Sequence, residues 1–243
     1  MAKLGFYMFL LPCLVICLTG YWARGGESDG SVNKARSVVK ENAALLDGIG
    51  QLLVVFNETP ESNSATLLAM EKKDNKWVAA SASIAVGIGR NGFAAPNEKR
   101  EGDHKSPTGV FRLGQLFCYE KEVNTRMPFI QTTRDDKWID DPNSSDYNRY
   151  VRGTTQAGSF ENLKINSDEY KYCMAIEYNM NPVVKGMGSA IFLHLSIGDV
   201  PNSSSGCVVV TLKDMEWLLR WMNPELKPSI IMGNEQILIS GLK

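Results

Sequence analysis

The sequence predicts a mainly β domain, of sandwich or barrel type, with a few peripheral helices. Short apolar runs rich in Val, Ile and Phe recur from residue 51 to the end of the chain, and such runs are typical of strands. Apolar residues with helical spacing occur in two segments. The length of 243 residues fits one all-β domain with additions.

The composition limits the function classes. Hydrophobic residues make up 44% and charged residues 22% of the chain, which is globular and excludes disordered and collagen-like proteins. The formal net charge is −1 and no long basic run occurs, so nucleic acid is not an expected partner. Two His and five Cys leave few side chains for chemistry near neutral pH.

The first residues resemble an export signal. Lys3 precedes an uncharged apolar stretch, Leu4–Ala23, which fits a secretory signal and is also long enough to span a bilayer. No clean small-x-small cleavage site follows. We therefore expect residues 1–24 to be a signal peptide or an N-terminal anchor, the remainder to be exported to the periplasm or cell envelope, and membrane contact to occur only through an uncleaved N-terminal segment.

The next part, residues 25–50, is predicted to be a linker followed by a short helix. Arg24–Asn33 is polar and rich in Gly and Ser, whereas Lys34–Leu46 carries apolar residues at helical spacing. Residues 51–243 then form the predicted domain.

Strands dominate this domain. A turn at Asp74-Asn75 separates two apolar runs and indicates a hairpin. The predicted strands are Gln51–Asn57, Ala65–Glu71, Lys76–Gly87, Gly109–Leu116, Tyr170–Tyr178, Ala190–Ser196, Cys207–Thr211, and a last hairpin of Ser229–Met232 with Gln236–Ser240.

Two segments depart from this pattern. Thr211 and Asp214 form an N-terminal capping pattern, apolar residues follow at helical spacing, and Pro224 ends the predicted helix. Asp135–Ser167 is a long polar segment. We expect it to be a functional loop, a lid or a binding wall.

One Cys and one His stand out. Alternation places Ala190, Phe192 and His194 on one face of a strand, and a small-residue turn then leads to Cys207 at the start of the next. A neighbouring imidazole favours thiolate through an imidazolium–thiolate pair, and Gly206 permits a tight turn whose N–H groups can face an oxyanion. A buried structural Cys and a hydrogen-bonded core His remain the alternative on spacing alone.

The other cysteines outside the N-terminal segment are Cys118 and Cys173. In an oxidising compartment they form either a bridge, with Cys207 free, or two buried unpaired thiols.

Several ordered motifs resemble the catalytic domain of YkuD-type L,D-transpeptidases. The central one is a His, a gap, then Ser/Thr-x-Gly-Cys and an apolar residue. The resemblance runs from about Gln51 to Lys243. The matching segments are GRNGFA (89–94), KREGDHKSPTGVFRLG (99–114), WIDDPNSSDYN (138–148), EYNMNPVVKGMGSAIFLH (177–194), HLSIGDVPNSSSGCVVV (194–210) and LLRWMNPE (218–225).

The resemblance implies a β-rich L,D-transpeptidase catalytic fold with Cys207 as nucleophile and His194 as general base. It also implies an oxyanion site of backbone N–H groups near Ser205, Gly206 and Cys207, and peptidoglycan stem peptides as partners. The implied reaction is a 3–3 crosslink formed through a thioester with release of D-Ala, without metal or cofactor. Water as acceptor implies an L,D-carboxypeptidase, and a protein amine implies an anchoring enzyme.

Three positions depart from the family pattern. Ser205 stands where many members carry a second His, Val209 where many carry Arg, and Leu195 where Gly is common. The rival interpretations are a sortase-like transpeptidase and a catalytically inactive wall-binding module, and the departures at Ser205 and Val209 favour the second of these rivals.

Weaker candidates surround this motif. Arg90 and Asn91 lie at a Gly-rich turn and are candidates for lining the cleft, and Tyr150 in the long polar segment is a candidate for stacking on substrate. His104 is expected to be an exposed loop residue. The Asp residues of the long segment lack calcium-binding spacing.

Overall fold

The structure is a computed structural model that describes residues 27–242. The predicted signal peptide or anchor, residues 1–24, lies outside the described residues. Within the described range no helix is long and apolar enough to cross a membrane.

Strands form most of the regular structure, in agreement with the predicted fold class. The helices are α1 (Glu27–Glu41), α2 (Leu212–Trp221) and α3 (Glu235–Ile239), with short 3-10 turns at Ala43–Leu46 and Pro224–Leu226. The strands are β1 (Gln51–Asn57), β2 (Ser64–Lys73), β3 (Lys76–Ala79), β4 (Ile84–Gly87), β5 (Gly109–Cys118), β6 (Phe129–Gln131), β7 (Asp136–Ile139), β8 (Tyr150–Arg152), β9 (Phe160–Asn162), β10 (Tyr172–Ile176), β11 (Phe192–Leu195), β12 (Val208–Val210) and β13 (Ser229–Asn234).

The main sheet closes on itself. Its order is β1-β13-β5-β10-β11-β12-β4-β2, and β2 pairs back with β1. Most neighbours are antiparallel, but β1–β13, β5–β6 and β11–β12 are parallel. Closure pairs the strand edges that an open sheet would expose. The result is a barrel-like sheet, as predicted.

Buried side chains lie on both faces of this sheet. Inside, Leu53, Leu193 and Val208 pack with Met215 and Leu218 of α2. Outside, one apolar cluster lies under α1 and α3, and another lies under the small sheet formed by β7, β8 and β9. The strands are therefore buried on both faces, which explains why β1 and β12 are continuous apolar runs.

Helix α1 is longer than the sequence indicated. It begins at Glu27, inside the segment predicted to be a linker, so the linker prediction is wrong from that residue onward. Its Ala35, Val38 and Val39 are buried against the outer face of β1. This packing stabilises a helix whose N-terminal half has a polar, Gly- and Ser-containing sequence.

The predicted C-terminal hairpin is wrong. Residues 229–234 form β13, but residues 235–239 form α3. The side chain of Asn234 accepts the Gln236 N–H and caps the helix, and Leu238 packs in the cluster beneath α1. Strand β13 pairs instead with β1 and β5. The predicted strand 76–87 is likewise divided into β3 and β4.

The long polar segment is not a structureless loop. It contains the three-stranded sheet β8-β7-β9, whose centre is the buried Asp136. Arg152 pairs with Asp136 at 2.6 Å, and Tyr150 donates to the same carboxylate. Burial alone raises the pKa of Asp136, but hydrogen bonds from Arg152, Tyr150 and Thr133 outweigh burial and lower it to about 2.

Of the two alternatives for Cys118 and Cys173, the structure has the two buried unpaired thiols and not the bridge. They lie on the neighbouring strands β5 and β10, but Cys118 pairs with Tyr172 and Cys173 with Phe117. This one-residue offset directs the two side chains to opposite faces of the sheet.

Candidate active site

Parallel pairing of β11 and β12 brings the predicted Cys–His pair together. His194 is opposite Val209, and Leu193 is opposite Val208. Cys207 comes one residue before Val208 and therefore lies beside Phe192. Because side chains alternate along a strand, His194 and Cys207 lie on the same face of the sheet. Both line one cavity.

The Cys207 thiol is held by backbone groups of the preceding segment. Its Sγ accepts the Phe192 N–H at 3.3 Å and donates to the Ala190 carbonyl at 3.3 Å. Burial raises the pKa of Cys207 to about 12, and the hydrogen bond from Phe192 opposes this shift. The resting group is therefore a neutral thiol at neutral pH.

The His194 imidazole is fixed by its own strand and by an aromatic neighbour. Nδ1 lies 3.0 Å from the Leu195 carbonyl, so the neutral ring that fits this contact donates from Nδ1 and leaves the lone pair on Nε2. Tyr170 contacts the ring edge-to-face, with centroids 5.2 Å apart. Burial lowers the pKa of His194.

Burial therefore opposes the ion pair expected from the sequence. It shifts the pKa of the thiol upward and that of the imidazole downward, and both shifts favour neutral forms. The side-chain hydrogen bonds of Cys207 and His194 found in the described part of the chain go to backbone groups, and none joins the thiol to the imidazole. The structure therefore has a neutral thiol and a neutral imidazole in one cavity.

A buried hydroxyl holds the turn before Cys207. Ser106 accepts the Gly89 N–H at 2.9 Å and donates to the Gly206 carbonyl at 2.8 Å. Gly206 has φ +147, and a Cβ there would lie 2.9 Å from the Lys105 carbonyl oxygen. Glycine at 206 therefore lets the segment of Ser106 approach the turn closely.

The expected oxyanion site is partly occupied by internal contacts. The Gly206 N–H donates to the Ser204 hydroxyl at 3.1 Å, and that hydroxyl donates to the Cys207 carbonyl at 2.8 Å. In this conformation the Gly206 N–H is engaged. The assignment of backbone groups near Ser205, Gly206 and Cys207 to an oxyanion stays a prediction.

The cavity has a volume of about 410 Å³ and a lining that carries both signs of charge. The cationic side chains of the lining are Arg90 and Lys99, and serines that precede Cys207 also belong to it. Four carboxylates, from Glu101, Asp140, Glu161 and Glu169, complete the charged lining. Burial and the nearby charge of Asp140 raise the pKa of Glu161.

The weaker candidates divide between cavity and scaffold. Arg90 lines the cavity, whereas the side chain of Asn91 donates to the Asp103 carbonyl at 2.9 Å and is not among the lining residues. Tyr150 is also outside the cavity wall, because its hydroxyl is bound to Asp136 and its ring packs on Phe117.

Sequence reasoning missed two residues of the cavity lining, Lys99 and Tyr170, of which Tyr170 contacts His194. His104 was expected to be an exposed loop residue, but it is half-buried and contacts Arg90. The signal for Lys99 and His104 was present in the segment KREGDHKSPTG. Tyr170 precedes β10 and carries no comparable signal.

Among residues 27–242 no group of three or more His, Cys, Asp or Glu side chains is arranged to hold a metal ion. The expectation that the reaction needs neither metal nor cofactor stays a prediction.

A family model, the L,D-transpeptidase catalytic domain YkuD, matches residues 60–231. No match was found among curated proteins. Among solved structures, the helical cell shape determining protein Pgp2 from Campylobacter jejuni is similar at 14% identity and a TM-score of 0.40, covering 85% of this chain and 59% of that one. A mutant of Pgp2 gives the same identity and TM-score with 80% and 52% covered. The chain therefore spans less than two thirds of the length of Pgp2.

Proposed function

Because the chain belongs to the YkuD family of L,D-transpeptidase catalytic domains, whose function is related to peptidoglycan, we propose that it is a cysteine-dependent acyltransferase acting on peptidoglycan stem peptides in the cell envelope. The supporting observation is the placement of Cys207 and His194 on one face of the sheet, in one cavity, with Nδ1 of the imidazole bound to the Leu195 carbonyl.

The first half of the reaction forms a thioester. The Cys207 sulfur attacks the carbonyl carbon of the third stem residue while its proton passes to Nε2 of His194. The tetrahedral intermediate then breaks its bond to the nitrogen of the terminal D-Ala. His194 returns the proton to that nitrogen, so D-Ala leaves as a free amino acid.

The second half releases the acyl group. An amine of another stem attacks the thioester, His194 accepts the amine proton, and the Cys207 sulfur leaves and recovers a proton. The product is a 3–3 crosslink. Water in place of the amine gives an L,D-carboxypeptidase product, and a protein amine gives an anchored protein.

The carboxylates of the cavity lining support a substrate that carries an amine. Asp140 and Glu161 lie on the same face of the small sheet, as the pairing of Trp138 with Glu161 requires. The Oδ1 atom of Asp140 is buried and has no hydrogen-bond partner among the described residues. An ammonium group in the cavity would satisfy this atom and reduce the repulsion between the carboxylates.

Acylation by a disaccharide-tetrapeptide tests the proposal. The full chain is incubated with this donor and its intact mass is measured. We expect an adduct equal to the donor minus D-Ala, which disappears in Cys207→Ala and persists in the matched variant Cys118→Ala. Chromatography of the products then distinguishes crosslinked from hydrolysed stems.

Two results would contradict the proposal. One is a wild-type chain that forms no adduct although iodoacetamide labels Cys207. The other is an adduct of the same mass in Cys207→Ala.

A further inference from the structure

We propose that Arg90, held in place by His104, binds the terminal carboxylate of the donor stem and thereby selects donors that end one residue after the attacked carbonyl. This inference rests on the proposed function, and it assigns a specificity-determining role to Arg90 and a positioning role to His104.

Arg90 is fixed to the segment that carries the nucleophile. Its backbone N–H donates to the Ser204 carbonyl at 2.9 Å, and Gly89 forms a parallel bridge with Ser204. Arg90 therefore lines the cavity. The bridge joins its segment to Ser204, which precedes Cys207 by three residues. A shift of one segment moves the other.

The guanidinium is held at one nitrogen. Nη2 lies 2.7 Å from Nδ1 of His104 and donates to the Ser205 hydroxyl at 3.4 Å. His104 is itself held, because its carbonyl accepts the Asn91 N–H at 3.1 Å. Ser205, which departs from the family pattern, is thus part of the support for Arg90.

Two nitrogens of the guanidinium remain available. Within residues 27–242 no carboxylate forms an ion pair with Arg90, and the hydrogen bonds of its side chain are confined to Nη2. The N–H groups of Nε and Nη1 have no partner among these residues, so each can donate a charge-assisted hydrogen bond to a carboxylate oxygen.

The reaction places a carboxylate within reach of these nitrogens. When a single terminal residue is the leaving group, its carboxylate is one residue from the attacked carbonyl, and consecutive Cα atoms are about 3.8 Å apart. The attacked carbon must approach the sulfur to about 3–3.5 Å. The carboxylate must therefore enter the same cavity as the scissile bond.

The charges of the cavity leave Arg90 as the available cation. The carboxylates of the lining repel an anion, and Lys99 is engaged by Asp103 at 2.6 Å and by the Arg100 carbonyl at 2.8 Å. Arg90 is the other cationic residue of the lining. Val209, where many family members carry Arg, is uncharged and fully buried in this chain and supplies no cation.

Two donors that differ only at the terminus test this assignment. The full chain is acylated with a tetrapeptide stem bearing a free carboxylate and with the same stem bearing a terminal carboxamide, and the rate of thioester formation is followed by intact mass. We expect the wild type to favour the free acid by about tenfold or more, as one charge-assisted hydrogen bond implies.

The variants separate the roles. Arg90→Gln should bring the ratio of the two rates close to one, mainly by slowing the acid donor, whereas the exposed control Arg149→Gln should keep it. His104→Ala should lower the ratio less than Arg90→Gln does, and His104→Asn, which retains an acceptor, should restore part of it. Arg90→Lys keeps the charge but not the planar guanidinium, so it should give an intermediate ratio. It replaces Arg90→Gln if that variant does not fold.

The results that overturn the inference are distinct from those that overturn the function. If the wild type is acylated but Arg90→Gln keeps the wild-type ratio, the assignment of Arg90 fails while the proposed function stands. An unchanged ratio in His104→Ala overturns the positioning role. If the wild type is acylated by neither donor, the proposed function fails and this inference fails with it.

Discussion

His194 is 6% exposed and is surrounded by its own strand, the Leu195 carbonyl and the ring of Tyr170. A charged imidazole in this place loses most of its hydration. The same surroundings favour the uncharged thiol of Cys207. In the proposed reaction, proton transfer from sulfur to Nε2 is therefore driven by the approach of the carbonyl and by stabilisation of the oxyanion, because both groups start in their neutral forms.

The low pKa of His194 predicts a loss of stability in mild acid. In the unfolded chain a His binds a proton below a pH of about 6.5, whereas burial lowers the pKa of the folded residue. The unfolded state therefore binds more protons, and the free energy of unfolding decreases as the pH falls below about 6.5. Urea unfolding between pH 5 and pH 7.5 measures this slope.

The variant His194→Gln removes the titrating group, so its slope in this window should be flatter than that of the wild type. Equal slopes would contradict the assignment of a buried neutral imidazole. On the alkaline side the sign reverses: the pKa of Cys207 rises from 9.0 to about 12 on folding, so stability should decrease as the pH rises above about 9. Cys207→Ala should weaken this decrease without abolishing it, because burial also raises the pKa of Cys118 and Cys173.

At the scale of elements, strand β4 limits the path of the loop between β11 and β12. Gly87 pairs with Val209 of β12, and a Cβ at Gly87 would lie 1.9 Å from the Asn202 carbonyl oxygen. No real Cβ tolerates that distance. The loop that leads to Cys207 therefore depends on the missing side chain of a residue in a neighbouring strand.

Gly87→Ala should destabilise the protein by about 1–3 kcal/mol, because the backbone of the loop must move away from the new methyl group. The same shift should slow thioester formation. Gly30→Ala is the matched control: no atom lies within 4 Å of a Cβ at this position of α1, and the substitution should stabilise the helix by about 0.5–1 kcal/mol. Urea unfolding of both variants checks the opposite signs, and an unaltered midpoint for Gly87→Ala would show that the loop is not constrained there.

At the scale of the whole molecule, the packing of α1 bears on whether this helix and the barrel unfold cooperatively. The sequence indicated a linker and a short helix before the domain, whereas the structure places Val38 in a cluster with Leu52 and Val54 of β1 and Leu238 of α3. Parts of the chain that are far apart in sequence share this cluster. We infer that α1 unfolds together with the barrel.

Val38→Asp tests this inference. A carboxylate in the cluster beneath α1 should lower the free energy of unfolding by about 3 kcal/mol or more and shift one common transition. Ser37→Asp, on the exposed side of the same helix, should change it by less than about 0.5 kcal/mol. If circular dichroism and tryptophan fluorescence showed loss of the helix without a change in barrel unfolding, α1 would unfold independently and the inference would be wrong.

The sequence was sufficient where a pattern had one explanation. Alternation in β11 correctly placed His194 and Phe192 on one face, and the cap at Thr211 with the apolar residues up to Met222 correctly located α2. The closure of the sheet and the order of its strands require pairings that no local pattern encodes. The helix α3 looked like a strand because it is short and its apolar residues, Ile237, Leu238 and Ile239, are consecutive and mostly β-branched.

The candidate site likewise combines features that a local sequence pattern indicates with features that arise only on folding. Cys207 and His194 were identified from a motif, but the contact between His104 and Arg90 joins two loops and has no periodic signature. The protonation of the pair was predicted incorrectly because proximity suggests an ion pair, whereas the depth of burial, a property of the folded molecule, favours neutral groups.

The hydrogen bonds of Ser106 have a consequence for folding. They join this residue to Gly89, 17 positions away, and to Gly206, 100 positions away. Contacts of such long sequence separation form late, because a large loop must close before they gain any energy. An unfolded chain therefore carries Cys207 as an ordinary thiol with no base beside it. The cavity that Cys207 and His194 line comes into existence together with the long-range contacts of the barrel, so in the proposed function acylation by a stem peptide is itself a report that folding is complete.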